Sequence, residues 1–262
     1  MNLSVSNIAW PASADASMLP YLASHAITGL EIAPTRIFPD APYDHIAEAR
    51  TWAAALEKVH GLTVASMQSI WYGRTEQLFG TDADRAALLS YTKQAIAFAA
   101  AIGCKNLVFG CPKNRVRQGR DDAPVRAFFR DVAAAAAKAD VVFALEANPP
   151  IYHTDYLGAT QDVLDLADAI DHPGLGVNLD LGTMIENGET ADILRGRVHR
   201  IHHVHLSEPY LRPIERRALH RDVAAILRAE GYDGFVSLEM GKDAGLDAVK
   251  TSIAYLQEVF GV

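Results

Sequence analysis

Residues 143–149 read FALEANP, 177–183 VNLDLGT, 202–208 HHVHLSE and 236–241 VSLEMG. In each, a largely apolar run leads to a group with metal-binding chemistry: Glu146, Asp180, His205 and Glu239. These four lie 34, 25 and 34 residues apart, about the length of one strand plus its crossover helix in a βαβ unit. Successive strands of a repeating parallel fold would bring three carboxylates and an imidazole together at one end of a barrel. Carboxylates crowded in that way repel one another and take up protons unless a cation holds them. The pattern therefore predicts a metal site.

Working outward, the same alternation extends through the chain. Short apolar runs at 3–10, 29–34, 62–71 and 105–112 precede those at 141–148, 176–181, 201–207 and 235–240. Each is bounded by turn residues, as expected of strands buried on both faces. Helical spacing appears between them: Ile46, Ala49, Ala53 and Leu56 in a helix from about Tyr43 to Gly61, and Leu246, Val249, Ile253, Leu256 and Phe260 in the last. Ser13 or Asp15 can cap the first helix, Gly103 closes the one over 82–102, and DVAAAAAKA at 131–139 suits a tightly packed helix.

Eight strand-helix units without a linker or composition shift predict an α/β fold, a single (β/α)8 TIM barrel spanning 1–262 as one domain. An open dinucleotide-binding sheet is disfavoured, because no glycine fingerprint follows the first strand. The longer irregular segments, 72–81, 113–122, 149–159 and 208–219, all follow strands, where a barrel builds its active face.

Bulk properties narrow the function. Half the residues are hydrophobic and the formal charge is -8, which argues against a nucleic-acid surface. No apolar run approaches the roughly 20 residues of a membrane span and no secretory leader is evident, so no membrane partner and a cytoplasmic location are expected. Cys104 and Cys111 read as small apolar residues of a buried strand.

Period-two alternation turns Asn148, Asn178, His203 and Ser237 toward the same interior as the four candidate ligands. It places His203 behind the ligands and turns His202 out toward the helices. Oxygen-rich ligation with one imidazole suits a six-coordinate divalent ion, with manganese, magnesium and cobalt favoured.

The set LEANP, LDLGT, HVHLSE and SLE, followed through LRAEGYDGFVSLE, resembles the sugar phosphate isomerase/epimerase superfamily. These are the xylose isomerase-like TIM barrels, which include ketose 3-epimerases and inosose dehydratase. The resemblance covers nearly the whole chain. It implies that Glu146, Asp180, His205 and Glu239 hold the metal, and that Glu146 and Glu239 also exchange protons with substrate. It further implies an isomerase or epimerase of a small sugar, ketose or sugar phosphate, working through an enediolate. The alternative is a lyase or dehydratase on a keto-sugar or inosose, sharing the same enolate. A DNA-repair endonuclease on this fold would need more histidines and less negative charge. Relatives of this kind often form dimers or tetramers, so self-association is expected.

Two departures stand out. Such epimerases often carry a histidine shortly after the strand-six aspartate, where this chain reads Leu181, Gly182, Thr183 and Met184. After the strand-seven histidine, Glu208 and Arg212 remain as candidate substrate contacts, with Pro209, Tyr210 and Leu211 between them. Other candidates at the mouth are Trp10, Trp71 and Tyr72 as ring-stacking walls, Gln68 and Glu31 as hydroxyl contacts, and Asn148 beside its ligand. Lys113 and Arg115 are candidates for an anionic substrate group, as is Lys242 after strand eight. His153 and Tyr156 are candidates for a lid.

Overall fold

In a computed structural model, which describes residues 1–261, each apolar run forms a strand. The strands are β1 (Asn2–Ser6), β2 (Gly29–Ile32), β3 (Thr63–Met67), β4 (Asn106–Phe109), β5 (Val142–Glu146), β6 (Leu175–Asp180), β7 (Ile201–Leu206) and β8 (Phe235–Leu238). They pair in parallel in chain order and close with β8 against β1. The chain is an α/β protein with a closed (β/α)8 barrel.

Around it lie α1 (Asp15–Ser24), α2 (Pro34–Ile37), α3 (Ile46–His60), α4 (Asp82–Ala101), α5 (Ala123–Lys138), α6 (Thr160–Ile170), α7 (Leu181–Asn187), α8 (Ala218–Ala229) and α9 (Leu246–Phe260). Local chemistry sets their ends. Thr81 and Asp84 form a reciprocal capping box at the start of α4. Gly61, at φ +67°, terminates α3 in the left-handed region that glycine enters without a Cβ clash. The helix expected from Tyr43 begins at Ile46, because Pro42–Asp44 forms a 3-10 turn first.

The barrel seams are not equivalent. Four residue pairs register β4 with β5, whereas β3 meets β4 through the single pair Met67 and Leu107. The strand expected to reach Trp71 stops at Met67, and Ser69 adopts φ +54°. Trp71 consequently turns into the helical layer. It donates from Nε1 to Thr92 Oγ1 at 2.9 Å and packs edge-on against Phe109 and Phe128. It is core rather than a pocket wall, and truncating a Phe in such a cluster to Ala costs about 3–5 kcal/mol.

The shortest crossover lies between β6 and β7, where α7 starts directly after Asp180 and two 3-10 turns complete the link. This accounts for the short 25-residue step in the spacing. The β6–β7 register shifts after Val177, which pairs with Ile201, while Asn178 pairs with His203. His202 is the extra residue of that bulge. A bulge breaks the strict alternation of faces, so His202 does not point to the helices as expected. Its Nδ1 lies 2.8 Å from Asn106 Oδ1 on β4, and burial pulls its pKa down to about 4.

Cys104 is buried just before β4 and Cys111 lies just after it, both as free thiols. Among the described residues no helix is long and apolar enough to cross a membrane.

Candidate metal and active site

At the C-terminal ends of β5 to β8 the four predicted residues converge. His205 Nδ1 lies 3.3 Å from Glu146 Oε2, 3.2 Å from Glu239 Oε2 and 3.9 Å from Asp180 Oδ2. The three carboxylates line one cavity of about 200 Å3 with Gln68, Ser69, Val108, Gly110, Tyr152 and Leu211 among its walls. Glu146 and Asp180 are anchored from behind. Asn148 Nδ2 donates to Glu146 Oε1 at 2.9 Å and Asn178 Nδ2 to Glu146 Oε2 at 2.7 Å. Asp180 caps α7, accepting from Thr183 N through Oδ1 at 2.5 Å and from Ser207 Oγ through Oδ2 at 2.6 Å.

Two glycines make room for this. A Cβ on Gly110, at the end of β4, would sit 2.7 Å from Glu146 Oε1. One on Gly182 would sit 2.9 Å from Ser207 Oγ. At both positions close approach, not backbone conformation, opposes a side chain, because Glu146 or Ser207 would have to shift to admit one.

The imidazole is oriented by a group the sequence reading placed elsewhere. Glu31 on β2 is fully buried, and its Oε2 lies 2.8 Å from His205 Nε2. It is therefore a partner of the candidate ligand His205 and not a hydroxyl contact in the cavity. With Nε2–H donated to Glu31, Nδ1 is left to face the carboxylates, the arrangement by which a carboxylate fixes the tautomer of a metal-binding histidine. Gln68 Nε2 donates to Glu31 Oε1 at 2.9 Å and to Ser6 Oγ at 2.8 Å. His203 Nε2 lies 2.8 Å from Ser237 Oγ and 3.3 Å from Glu31, behind the ligands as expected.

Electrostatics record an excess of negative charge. Burial, then the neighbouring Glu146 and Glu239, push the Asp180 carboxyl up to about 7. Burial also raises Glu239, against the pull of His205. Burial alone would lower His205, but Glu239 and Glu31 outweigh it and hold its pKa well above the usual range. Glu31 is held well below the carboxylate range, because His205 and His203 overcome its burial. Without an ion, the imidazolium proton is the positive charge that the carboxylates share. A divalent cation would replace that proton and relieve the crowding. The donor set, carboxylate oxygens and one nitrogen within 4.8 Å of one another for Glu146, Asp180 and His205, fits such an ion.

The other predicted residues divide. Gln68 and Asn148 line the cavity. Arg115 is fully buried beneath it, giving Nη1 to Glu146 O at 2.9 Å and Nη2 to Asn148 Oδ1 at 2.7 Å, so it braces the wall instead of facing a substrate anion. Glu208 borders the cavity, but Arg217 takes both its carboxylate oxygens at 2.7 Å. Arg212 is exposed and donates to Pro209 O at 3.1 Å. Lys113 is exposed on a turn and does not line the cavity. Trp10 is buried, donates to Asp15 Oδ1 at 2.7 Å, and belongs to an adjoining groove with Tyr72 and Lys242. His153 is exposed, and Tyr156 packs against Phe79. Sequence reasoning missed Ser207 and Tyr152. Ser207 continues the inward alternation of His203 and His205 and was legible on that ground; Tyr152 sits in a loop and had no such signal.

The fold is a TIM barrel that carries a carboxylate-rich cluster, a candidate metal site, at its C-terminal mouth. The xylose isomerase-like TIM barrel model matches residues 19–259, and the chain belongs to that family. Among solved structures it is similar to a D-psicose 3-epimerase with D-tagatose from Clostridium cellulolyticum H10 (TM-score 0.78, 17% identity, covering 100% of both chains). It is also similar to a 3-keto-D-glucoside 4-epimerase from E. coli (0.78, 20%, 98% of this chain and 99% of that one). A third is the probable 3-DHS dehydratase AsbF from Bacillus anthracis (0.72, 18%, 98% and 99%). No curated protein sequence matches the chain.

Proposed function

We propose that the protein is a divalent-metal-dependent isomerase or epimerase of a small sugar or ketose, acting in the cytoplasm. The observation that carries this reading is the placement of Glu146 and Glu239, which reach the same His205 nitrogen from β5 and β8 on either side of β6 and β7. Manganese, magnesium and cobalt suit the oxygen-rich set formed by Glu146, Asp180, His205 and Glu239. When bound, the ion polarises a substrate carbonyl and its neighbouring hydroxyl, and so acidifies the C–H between them.

The chain's own residues do the rest. Glu239 removes or returns a proton through the carboxylate facing the cavity, and its raised pKa brings it toward the range where one group serves as both acid and base. Glu146 is fixed by Asn148 and Asn178, and works on the other side of the same carbon. Asp180, committed to Ser207 and the α7 backbone, holds the ion and moves no proton.

Tyr152 favours a second reading, a dehydratase. Its oxygen accepts from Tyr210 N at 2.8 Å, and burial, reinforced by Asp180, Glu239 and Glu146, pushes its pKa up to about 12. A phenol kept neutral beside the cavity can hydrogen-bond a departing hydroxyl. Proton NMR in heavy water, with magnesium-loaded protein and a panel of ketoses and keto-sugars, separates the two. Isomerase chemistry deuterates a substrate carbon, and Glu239→Gln reduces this by at least about a hundredfold; unchanged exchange in the variant removes the assigned role. Dehydration appears instead as a new enone absorbance.

A further inference from the structure

The cavity over the four ligands is small. At about 200 Å3 it lies below the roughly 300–1,000 Å3 of most ligand pockets. It is not closed off, however. Ser69 and Leu211 line both this cavity and a larger groove of about 710 Å3 built by the loops after β1, β2, β3, β7 and β8. Ile8, Trp10, Pro11 and Ala33 give that groove an apolar floor. On its rim Tyr72 presents a ring that is 71% exposed, one of the most exposed large apolar side chains described. Lys242 opens onto the same space and makes no ion pair among the described residues.

The wall between cavity and groove is held in place. Tyr210 and Leu211 both adopt left-handed backbone, φ +61° and +54°, an uncommon pair for residues with side chains. They are pinned by Tyr210 N to Tyr152 Oη at 2.8 Å and by Gly241 N to Leu211 O at 2.8 Å. Strain of this kind persists where the surroundings over-determine it, commonly at ligand sites. Here it sets Leu211 at the junction of the two spaces.

We infer that the groove is a second subsite, and that the substrate is a keto-glycoside: a sugar whose ring ketone is held over the metal ligands, with a ring-bearing substituent on its anomeric oxygen lying against Tyr72 in the groove. This rests on the sugar-processing reading above and extends it. An exposed Tyr ring over an apolar floor matches a ring with an apolar face, either aryl or glycosyl. A free hexose would use only the cavity and leave the groove vacant. Phosphate is a poor fit to the cavity itself, where Arg115 is buried behind the wall and Arg217 is spent on Glu208.

The test uses magnesium-loaded protein and saturation-transfer NMR with matched methyl, phenyl and glucosyl glycosides of glucose and galactose, each carrying a ketone in place of one ring hydroxyl. Phenyl or glucosyl forms of at least one sugar should bind about tenfold or more tighter than the methyl form. Two surface substitutions should abolish that difference while leaving methyl-glycoside binding unchanged: Tyr72→Ala, which removes the ring, and Ala12→Trp, which fills the groove from an exposed position. The aryl and glucosyl arms tell which ring the groove takes. Equal affinities, no binding of any glycoside, or a preference that survives both substitutions overturns the subsite. Glycoside preference without any substrate deuteration leaves the subsite standing and strikes the isomerase reading instead.

Discussion

The two halves of the barrel contribute in different ways. Strands β5 to β8 and the residue just past β8 supply the four candidate metal ligands, Glu146, Asp180, His205 and Glu239. Strands β1 to β4 carry none of these. They supply Glu31 and Gln68, which orient His205 from behind, and Gly110, whose missing side chain leaves space for Glu146. The later half presents the charge and anchors Glu146 and Asp180 itself, whereas His205 is oriented from the earlier half. Part of the positioning thus comes from a separate length of chain, through a hydrogen bond between residues 174 positions apart.

The largest expected effect lies in the charged half. Asp180→Ala should weaken metal binding by about a thousandfold, roughly 4 kcal/mol, measured by titration calorimetry; near-normal affinity would remove Asp180 from the ligand set. Arg217→Ala tests whether Glu208 is structural. Leaving that buried carboxylate unpaired should cost about 3 kcal/mol of stability, visible in denaturant unfolding, and a silent variant would return Glu208 to the pool of substrate contacts. In the supporting half, Glu31→Gln should reduce metal affinity by about 10–100-fold although it removes nothing from the cavity. If affinity is unchanged, the two halves do not divide as described.

The smallest effect is one of pH. Asp180 must lose its proton to hold an ion, so apparent metal affinity should rise about fivefold between pH 6 and 7. The sign for metal-free stability is opposite. Asp180 titrates higher when folded, about 7, than the roughly 3.9 of an unfolded chain. Its contribution is therefore full below about 4 and is lost as pH rises through 7. Thermal unfolding of metal-free protein across that window measures it, and a melting temperature that climbs instead would contradict the charge crowding.

The same division explains what could be read from the chain. The convergence of Glu146, Asp180, His205 and Glu239 was legible because each ends an apolar run at crossover spacing, and the barrel followed from the same repeats. Glu31 looked like a pocket residue because alternation gives a face but not a partner. His202 was misplaced because a bulge inserts one residue without altering composition. Trp71 looked like a strand end beside the cavity until Ser69 broke the strand and sent it outward. Lys113, Arg115 and Arg212 share a loop-borne positive charge, yet one is exposed, one is buried behind the wall and one is turned to its own backbone. Spacing alone does not distinguish such fates.

The single-pair seam between β3 and β4 has a consequence for how the barrel can be divided. It is the closest this closed sheet comes to a free edge, and the 68–81 loop that crosses it is irregular and partly exposed. A break within that loop, past Tyr72, would leave all four candidate metal ligands on the later fragment and Glu31 with Gln68 on the earlier one. Complementation between the two pieces would then be reported by recovery of tight metal binding, making the seam a natural place to split the protein into a two-component sensor.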